Sequence, residues 1–240
     1  MTDPIFDNVH AVNAWADGEP DTLRLSVDTK ATVHVGEYSR RGRSRGRRPV
    51  AALDHDMMPK RKLVPGGILE PVEGRAFLFF TESHKTSAFV ADGLQRWWAL
   101  RKPALGNILR LVLNLDNGPE CTSHRRYFLQ RLVEFADREG LELRLIYYPP
   151  YHSKYNSIER YWGGLERSWN GYLLDSVPTV LERAGTFVWR THRAVVSITD
   201  AVYEKGLRLN SKANKALEAR LDRSASLPWW DITIKSQKVS

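Results

Sequence analysis

The chain has a single cysteine, Cys121, in 240 residues. A disulfide within the chain needs two, so no such framework exists, and a zinc site built of several thiolates is excluded with it. Long apolar runs are also missing: nothing approaches the roughly 20 residues that cross a bilayer. The start, Met1-Thr2-Asp3-Pro4-Ile5-Phe6-Asp7, is acidic and lacks the basic head and apolar core of a signal peptide. A reducing cytoplasm is the expected setting, with no membrane partner. Internal repeats are absent too. Acid is in short supply relative to base, with 28 Asp and Glu against 36 Lys and Arg and a net charge of +8. That imbalance speaks for a polyanionic partner and says nothing about fold.

The positive charge is uneven. Arg40, Arg41, Arg43, Arg45, Arg47 and Arg48 crowd together with Gly42 and Gly46, and Lys60-Arg61-Lys62 follows. Such a cluster cannot pack into a core. A solvated loop is the plain reading, but six arginines exceed what solubility requires, and contact with a phosphate backbone is predicted. With 42% hydrophobic and 27% charged residues, the chain can bury a sizeable core.

Periodicity sketches the elements. The first twenty residues read as an irregular or partly helical lead-in. Leu23 to Asp28 reads as a strand, and Ala31 to Tyr38, β-branched and alternating, as a second after a tight turn. The basic, Pro/Gly-rich stretch 39–74 reads as an insertion before a third strand, Ala76 to Glu82. A helix is expected from Thr86 to about Leu100, then a nearly all-apolar strand, Leu109 to Leu115, of the kind covered on both faces. A helix from about Ser123 to Glu139, closed by Gly140, leads to a fifth strand, Leu141 to Tyr148. Helical spacing follows from about Tyr155 to Tyr172, Thr179 to His192, and Ala213 to Leu221. The order predicts an α/β fold, a mixed five-stranded sheet flanked by helices.

Three carboxylates stand at telling places. Asp28 ends the apolar run that begins at Leu23, and Asp116 ends the run that begins at Leu109. Glu159 lies in the segment from Tyr151 to Trp162 that opens a helix. In open α/β sheets, ligands bind at the carboxyl ends of central strands. Two such carboxylates and a third from a nearby helix would make an all-oxygen cage for hard divalent cations, the requirement of metal-dependent phosphoryl transfer. Each alone has a bland explanation, since an Asp before Asn-Gly is commonly a turn former. Far apart in the chain, they can meet only through a folded sheet.

With that order in hand, the chain resembles ribonuclease H-like catalytic cores, and more narrowly the DDE transposases of insertion sequences of the ISAzo type. The segments that carry the resemblance are Val27-Asp28-Thr29-Lys30-Ala31, Leu115-Asp116-Asn117-Gly118-Pro119-Glu120, and Tyr148-Pro149-Pro150 through Asn156-Ser157-Ile158-Glu159. The last is similar to the block that delivers the third carboxylate in mariner-like elements. Ser157 stands where relatives usually have proline, which softens the helix start and leaves the carboxylate in place. The resemblance spans roughly Leu23 to His192.

It implies a Mg²⁺-dependent polynucleotidyl transferase that cleaves and joins DNA strands in transposition. Asp28 would bridge two Mg²⁺ ions (Mn²⁺ being the alternative), with Asp116 and Glu159 each completing one ion's shell. Implied partners are transposon ends and target DNA, with homo-oligomers at synapsis and a nucleoid-associated location. Lys154 and Arg160 beside Glu159, like the arginine loop, are expected to meet DNA. Three units are expected: a lead-in (1–21), the catalytic domain (22–195) and a helical, basic extension (196–240). Too few residues precede the first strand for the helix-turn-helix region of full-length members, so a catalytic domain without that region is expected. Two other readings stay open: a remnant that binds DNA non-specifically, and a ribonuclease H-like nuclease that cuts without joining. Glu166, two turns beyond Glu159, ranks as a lesser candidate ligand. Trp97, Trp98, Trp162, Trp169 and Trp189 read as helix-face core, whereas Trp229-Trp230 falls outside any periodic segment.

Overall fold

The structure, a computed structural model, describes residues 2–42, 51–53, 59 and 61–237. Its frame is a mixed sheet, nine-stranded among the described residues. At its centre β1 (Thr22–Thr29) runs parallel to β5 (Arg110–Leu115), which is parallel to β6 (Glu142–Tyr147). On the other flank β1 pairs antiparallel with β3 (Arg61–Glu70), and β3 with β4 (Arg75–Thr81). The short β2 (Val33–Val35) also pairs with β3. Helices α2 (Ser87–Arg101) and α3 (Arg126–Glu139) cover one face, where Phe89, Trp97, Phe128 and Leu132 are fully buried against Leu25, Leu113 and Leu145. Side chains of that kind contribute roughly 1.5–3 kcal/mol each by leaving water. The opposite face is shared by α1 (Thr2–Gly18), over β5 and β6, and by α4 (Ser157–Ser168) and α5 (Val177–Thr186), over β3 and β4.

The sheet grows beyond the expected five strands. The segment expected as a loop within 39–74 supplies β3, whose last eight residues are buried. Pro65-Gly66-Gly67 reads as a strand breaker, yet both glycines are sockets. A Cβ on Gly66 would lie 2.3 Å from the Phe79 ring, and one on Gly67 would lie 2.6 Å from the Trp162 ring. Gly93 of α2 receives the same Phe79 ring at 2.3 Å. Large rings thus complete the packing where the strand has no side chains of its own.

Other expectations shift more modestly. The predicted second strand shrinks to β2 and pairs with β3 rather than β1; beyond it Gly36 turns away, at φ +152°, to bridge Leu174. The predicted helix 179–192 stops at Thr186, and the aromatic, β-branched residues after it form a small hairpin, β7 (Val188–Trp189) and β8 (His192–Arg193). An unpredicted edge strand, β9 (Val195–Thr199), runs parallel to β4. Beyond α6 (Ser211–Glu218), β10 (Leu221–Arg223) and β11 (Asp231–Ile234) extend the other edge through β6. The lead-in forms a full helix, since Ile5, Val9, Val12 and Ala16 make one buried stripe. A polar chain fastens it: Asp17 accepts from Nε and Nη2 of Arg24, each at 2.7 Å, and Asn114 accepts from Arg24 Nη1 and donates to Asn13. Buried Asp231 takes Arg144 in bidentate fashion and Asn8 of α1, tying β11 to the same layer. No helix among the described residues is long and apolar enough to cross a membrane.

Replacing Gly67 by alanine is expected to displace the Trp162 ring and cost about 1–3 kcal/mol of overpacking. Thermal denaturation should show a drop of several degrees, whereas Gly106→Ala, where a Cβ meets open space, should leave the midpoint nearly unchanged. Equal midpoints for the two variants would remove the socket argument.

Candidate active site

Strand parity decides which way the acids face. On β1 the odd residues Leu25 and Val27 enter the core under α2 and α3, so Ser26 and Asp28 turn to the α4 side. On β5, Leu111, Leu113 and Leu115 enter the same core, so Asn114 turns to the opposite face, where it meets Asn13 of α1, and the alternation continued one residue past the strand sends Asp116 the same way. The strands are parallel, with Val27 opposite Leu115. Asp28 and Asp116 therefore sit one step further on, side by side at the carboxyl ends of neighbouring strands.

The third acid arrives by a different device. Helix α4 is pinned to β1 through Ser26, whose hydroxyl donates to Asn156 Oδ1 and accepts the Ile158 N–H at 2.9 Å. Asn156 is fully buried, and its side-chain amide reaches the Val27 carbonyl at 3.4 Å. One turn along, the indole N–H of Trp162 donates to Asp28 Oδ2 at 3.0 Å. Gly67 is the register partner of Asp28 and leaves the space that the Trp162 ring fills. With the helix fixed at both points, Glu159 is held in its first turn beside the strand ends, half-buried. The turn before α4 is braced by α1, where Phe6 meets Tyr155 and His152 edge-on at 5.0 and 5.4 Å.

The electrostatics follow from that crowding. Asp28 is buried, 8% exposed, and its pKa is pushed up to about 7. Burial is the largest cause, then the charges of Asp116 and Glu159; the Thr29 backbone N–H and Lys85 pull the other way. Asp116 is steadied by the Gly118 N–H at 3.2 Å on its Oδ1. Cys121, buried behind it, has its thiol pushed well above the ordinary value by burial and the neighbouring acids, which makes it a poor nucleophile. Among the described residues no group of three or more His, Cys, Asp or Glu side chains closes to metal-holding distance. The donor set itself, three carboxylates without sulfur or imidazole, suits a hard cation such as Mg²⁺ or Mn²⁺. A cation between them would relieve the repulsion that raises Asp28.

The predicted nucleic-acid contacts divide. Lys154 and Arg160 are exposed and, with Arg167, Glu159 and Trp189, line a groove of about 620 Å³ along α4. Arg40 packs against the fold: its guanidinium lies 5.7 Å above the Trp169 ring and donates to the His34 carbonyl. Arg41, exposed at φ 61°, accepts the Gly171 N–H on its carbonyl. Arg43, Arg45, Arg47 and Arg48 lie outside the described residues. Glu166 is drawn away from the acids by an ion pair with Lys30. Trp229 packs on His124 at 4.3 Å and under Arg223 at 4.6 Å, while Trp230 is partly buried against the core. The partners the sequence reading missed are Ser26, Lys85, Gly67 and the polar role of Trp162. Nothing local marks them, because each acts on a residue remote in the chain.

A mixed sheet with two parallel central strands ending in carboxylates, and a helix that brings a third, is the layout of a ribonuclease H-like catalytic domain. Over residues 1–236 the chain matches the family described as the Rhodopirellula transposase DDE domain, and it belongs to that family. None of the curated protein sequences compared with it matches. Among solved structures it is similar to the Mos1 transposase paired-end complex with the left transposon end, at 10% identity and a TM-score of 0.52 over 75% of this chain. The chain spans about half the length of that transposase, 51% of which is covered. A second similar structure is the HTLV-2 integrase catalytic core domain in complex with magnesium, at 15% identity and a TM-score of 0.41, covering 72% of this chain and 92% of that one.

The raised pKa of Asp28 has a sign that can be checked. Folded Asp28 holds its proton up to about pH 7, whereas the unfolded chain releases it near the ordinary value of 3.8. The folded state therefore binds more protons between those values, and stability is lost as pH rises through that window. In the absence of divalent metal, Asp28→Asn should stabilise the protein at pH 8, by up to roughly 4 kcal/mol, and by little at pH 4. Urea denaturation of both proteins across that range is the measurement; a difference independent of pH would contradict the electrostatic account.

Proposed function

We propose that this chain cleaves and joins DNA strands by metal-dependent phosphoryl transfer, as the catalytic domain of a transposase. The observation that carries the reading is that Asp28 and Asp116 follow one another's register at the ends of adjacent parallel strands, beside a helix pinned to β1 that carries Glu159 in its first turn. Asp28, Asp116 and Glu159 would hold the divalent ions, Mg²⁺ or Mn²⁺. Bound there, the ions supply positive charge that activates an attacking oxygen and stabilises the departing one.

The protein's own share is positioning. Trp162 fixes the Asp28 carboxylate by its N–H, and Ser26 with Asn156 fixes the helix from which Glu159 projects. Lys154 and Arg160 would neutralise phosphates of a strand lying along α4, past Glu159. In such a displacement a water or 3′-hydroxyl oxygen forms the new bond to phosphorus as the old phosphorus–oxygen bond breaks. The departing 3′-oxygen takes up a proton, and no covalent bond to the protein forms. Binding through phosphates is largely sequence-neutral, so affinity should fall steeply with salt. Action on paired DNA ends, with a second copy of the chain, belongs to the same proposal.

The test is incubation of the protein and its Asp116→Asn variant with supercoiled plasmid and a labelled 3′-hydroxyl oligonucleotide at low salt, with Mg²⁺ or Mn²⁺. Metal-dependent nicking and oligonucleotide joining are expected from the wild type. The variant should lose more than about 100-fold, since loss of a mere outer-shell partner already costs about 10–100-fold. Nicking without joining would support a nuclease. Folded wild-type protein that binds DNA but never nicks it would favour a DNA-binding remnant.

A further inference from the structure

The chain leaves β6 through a turn whose third residue does not suit it. Tyr147 is the register partner of Leu115, and the Tyr148 N–H donates to the Leu115 carbonyl at 2.9 Å, so β6 parts from β5 beside Asp116. Pro149-Pro150-Tyr151-His152 then closes with the His152 N–H on the Pro149 carbonyl at 3.1 Å. Proline in second place and a φ of 64° at Tyr151, in third, are the layout of a type II turn. That third place favours glycine or asparagine, because at positive φ the Cβ crowds the backbone. A tyrosine there is strained, and strain of this kind clusters at functional sites.

The fold draws nothing from the ring in return. Tyr151 is fully exposed, and among the described residues its side chain makes no hydrogen bond and no ring contact. The other aromatics of this segment are employed: His152 and Tyr155 stack at 6.1 Å, Phe6 meets both edge-on, and Lys154 lies 5.2 Å over the Tyr155 ring. The backbone under Tyr151 is stiff, with two prolines before it and Nδ1 of His152 donating to the Pro150 carbonyl at 2.7 Å. A side chain on such a support has little freedom to lose on contact. Its place is also specific. Ser153 and Lys154, the second and third residues after it, line the groove along α4 together with Glu159. Tyr151 thus stands at the rim of that groove, between the strand that parts from Asp116 and the helix that carries Glu159.

We propose that Tyr151 stacks on a base that has left the duplex beside the reacting phosphate, and that the site prefers a duplex already unpaired at that step. This rests on the phosphoryl transfer proposed above and deepens it by naming the conformation of the substrate. In an intact duplex each base lies between its neighbours, and a protein ring can meet a base face only after that base is unstacked. Stacking on the tyrosine offsets part of that cost and is tolerant of sequence, since every base has a π-face. A mismatched base costs less to move than a paired one, so a duplex that contains one should bind more tightly. Tyr151 touches no reacting atom; it is a substrate-positioning residue whose ring holds the strand in a distorted form at the groove.

The experiment compares wild type with Tyr151→Phe, Tyr151→Ala and Tyr151→Asn on two labelled duplexes of one sequence, fully paired or with one central mismatch. Fluorescence polarisation gives the ratio of the two affinities for each protein. Wild type and Tyr151→Phe should bind the mismatched duplex at least about fivefold more tightly, and Tyr151→Ala and Tyr151→Asn should bind both alike within about twofold. Thermal denaturation supplies the second readout. Asparagine suits the turn, so Tyr151→Asn should keep or raise the midpoint. A fall of more than about two degrees would give the ring a structural role and overturn the proposal. A preference that survives in Tyr151→Ala would overturn it as well, and so would a wild type without any preference. If the preference is present and needs the ring, but the wild type neither nicks nor joins DNA, the function proposed above fails while the stacking stands.

Discussion

The contact on which the rest of the site depends is that of Trp162 with β1 and β3. Its ring fills the space over Gly67, and its indole N–H reaches the carboxylate of Asp28, the register partner of that glycine. Packing and polarity are satisfied by one side chain. A bulkier residue at position 67 would lift the ring and with it the hydrogen bond. Because Asn156 just before the helix and Trp162 within it flank Glu159, the position of the third acid follows from these two attachments. The helix itself is twelve residues long and would be marginal alone; its docking, more than its propensity, holds it.

The same crowding sets a tension between folding and chemistry. Three acids near one another, one of them buried, raise the free energy of the charged folded state in the absence of a cation. The surrounding structure tolerates this because the strands that carry Asp28 and Asp116 are central and covered on both faces, by α2 and α3 on one side and by α1 and α4 on the other. Stability lost at the acids is offset in the core, a distribution common where function requires strain. The groove along α4 repeats the pattern with opposite sign: Lys154, Arg160 and Arg167 line it together with Glu159, where a polyanion would neutralise them.

Much of this fold was legible because its signals are local. The apolar run 109–115, the helix closed by Gly140 and the strand that stops before Pro149 all appear close to their expected places. What misled was chemistry whose purpose lies elsewhere in space. Pro65-Gly66-Gly67 carries the signature of a turn, yet it sits in the middle of a buried strand because Phe79 and Trp162 require its emptiness. The stretch 221–234 has weak strand character and becomes β10 and β11 because β6 offers it an edge and Arg144 a counter-charge for Asp231. Arg40, expected from its place in a basic run to meet DNA, also packs over Trp169, a contact that nothing local announces.

The sequence by itself determined the class of fold, the strand-end placement of Asp28 and Asp116 and the helical placement of Glu159, since these follow from periodicity and from motifs read along the chain. Tertiary structure alone decided how the acids are turned toward one another, that Asp28 is the one whose charge is suppressed, and that Lys154, Arg160 and Arg167 share a groove with Glu159. The reason is physical: parity and register fix direction, and burial and Coulomb interaction depend on distances between residues that the chain keeps far apart and only the assembled sheet brings together.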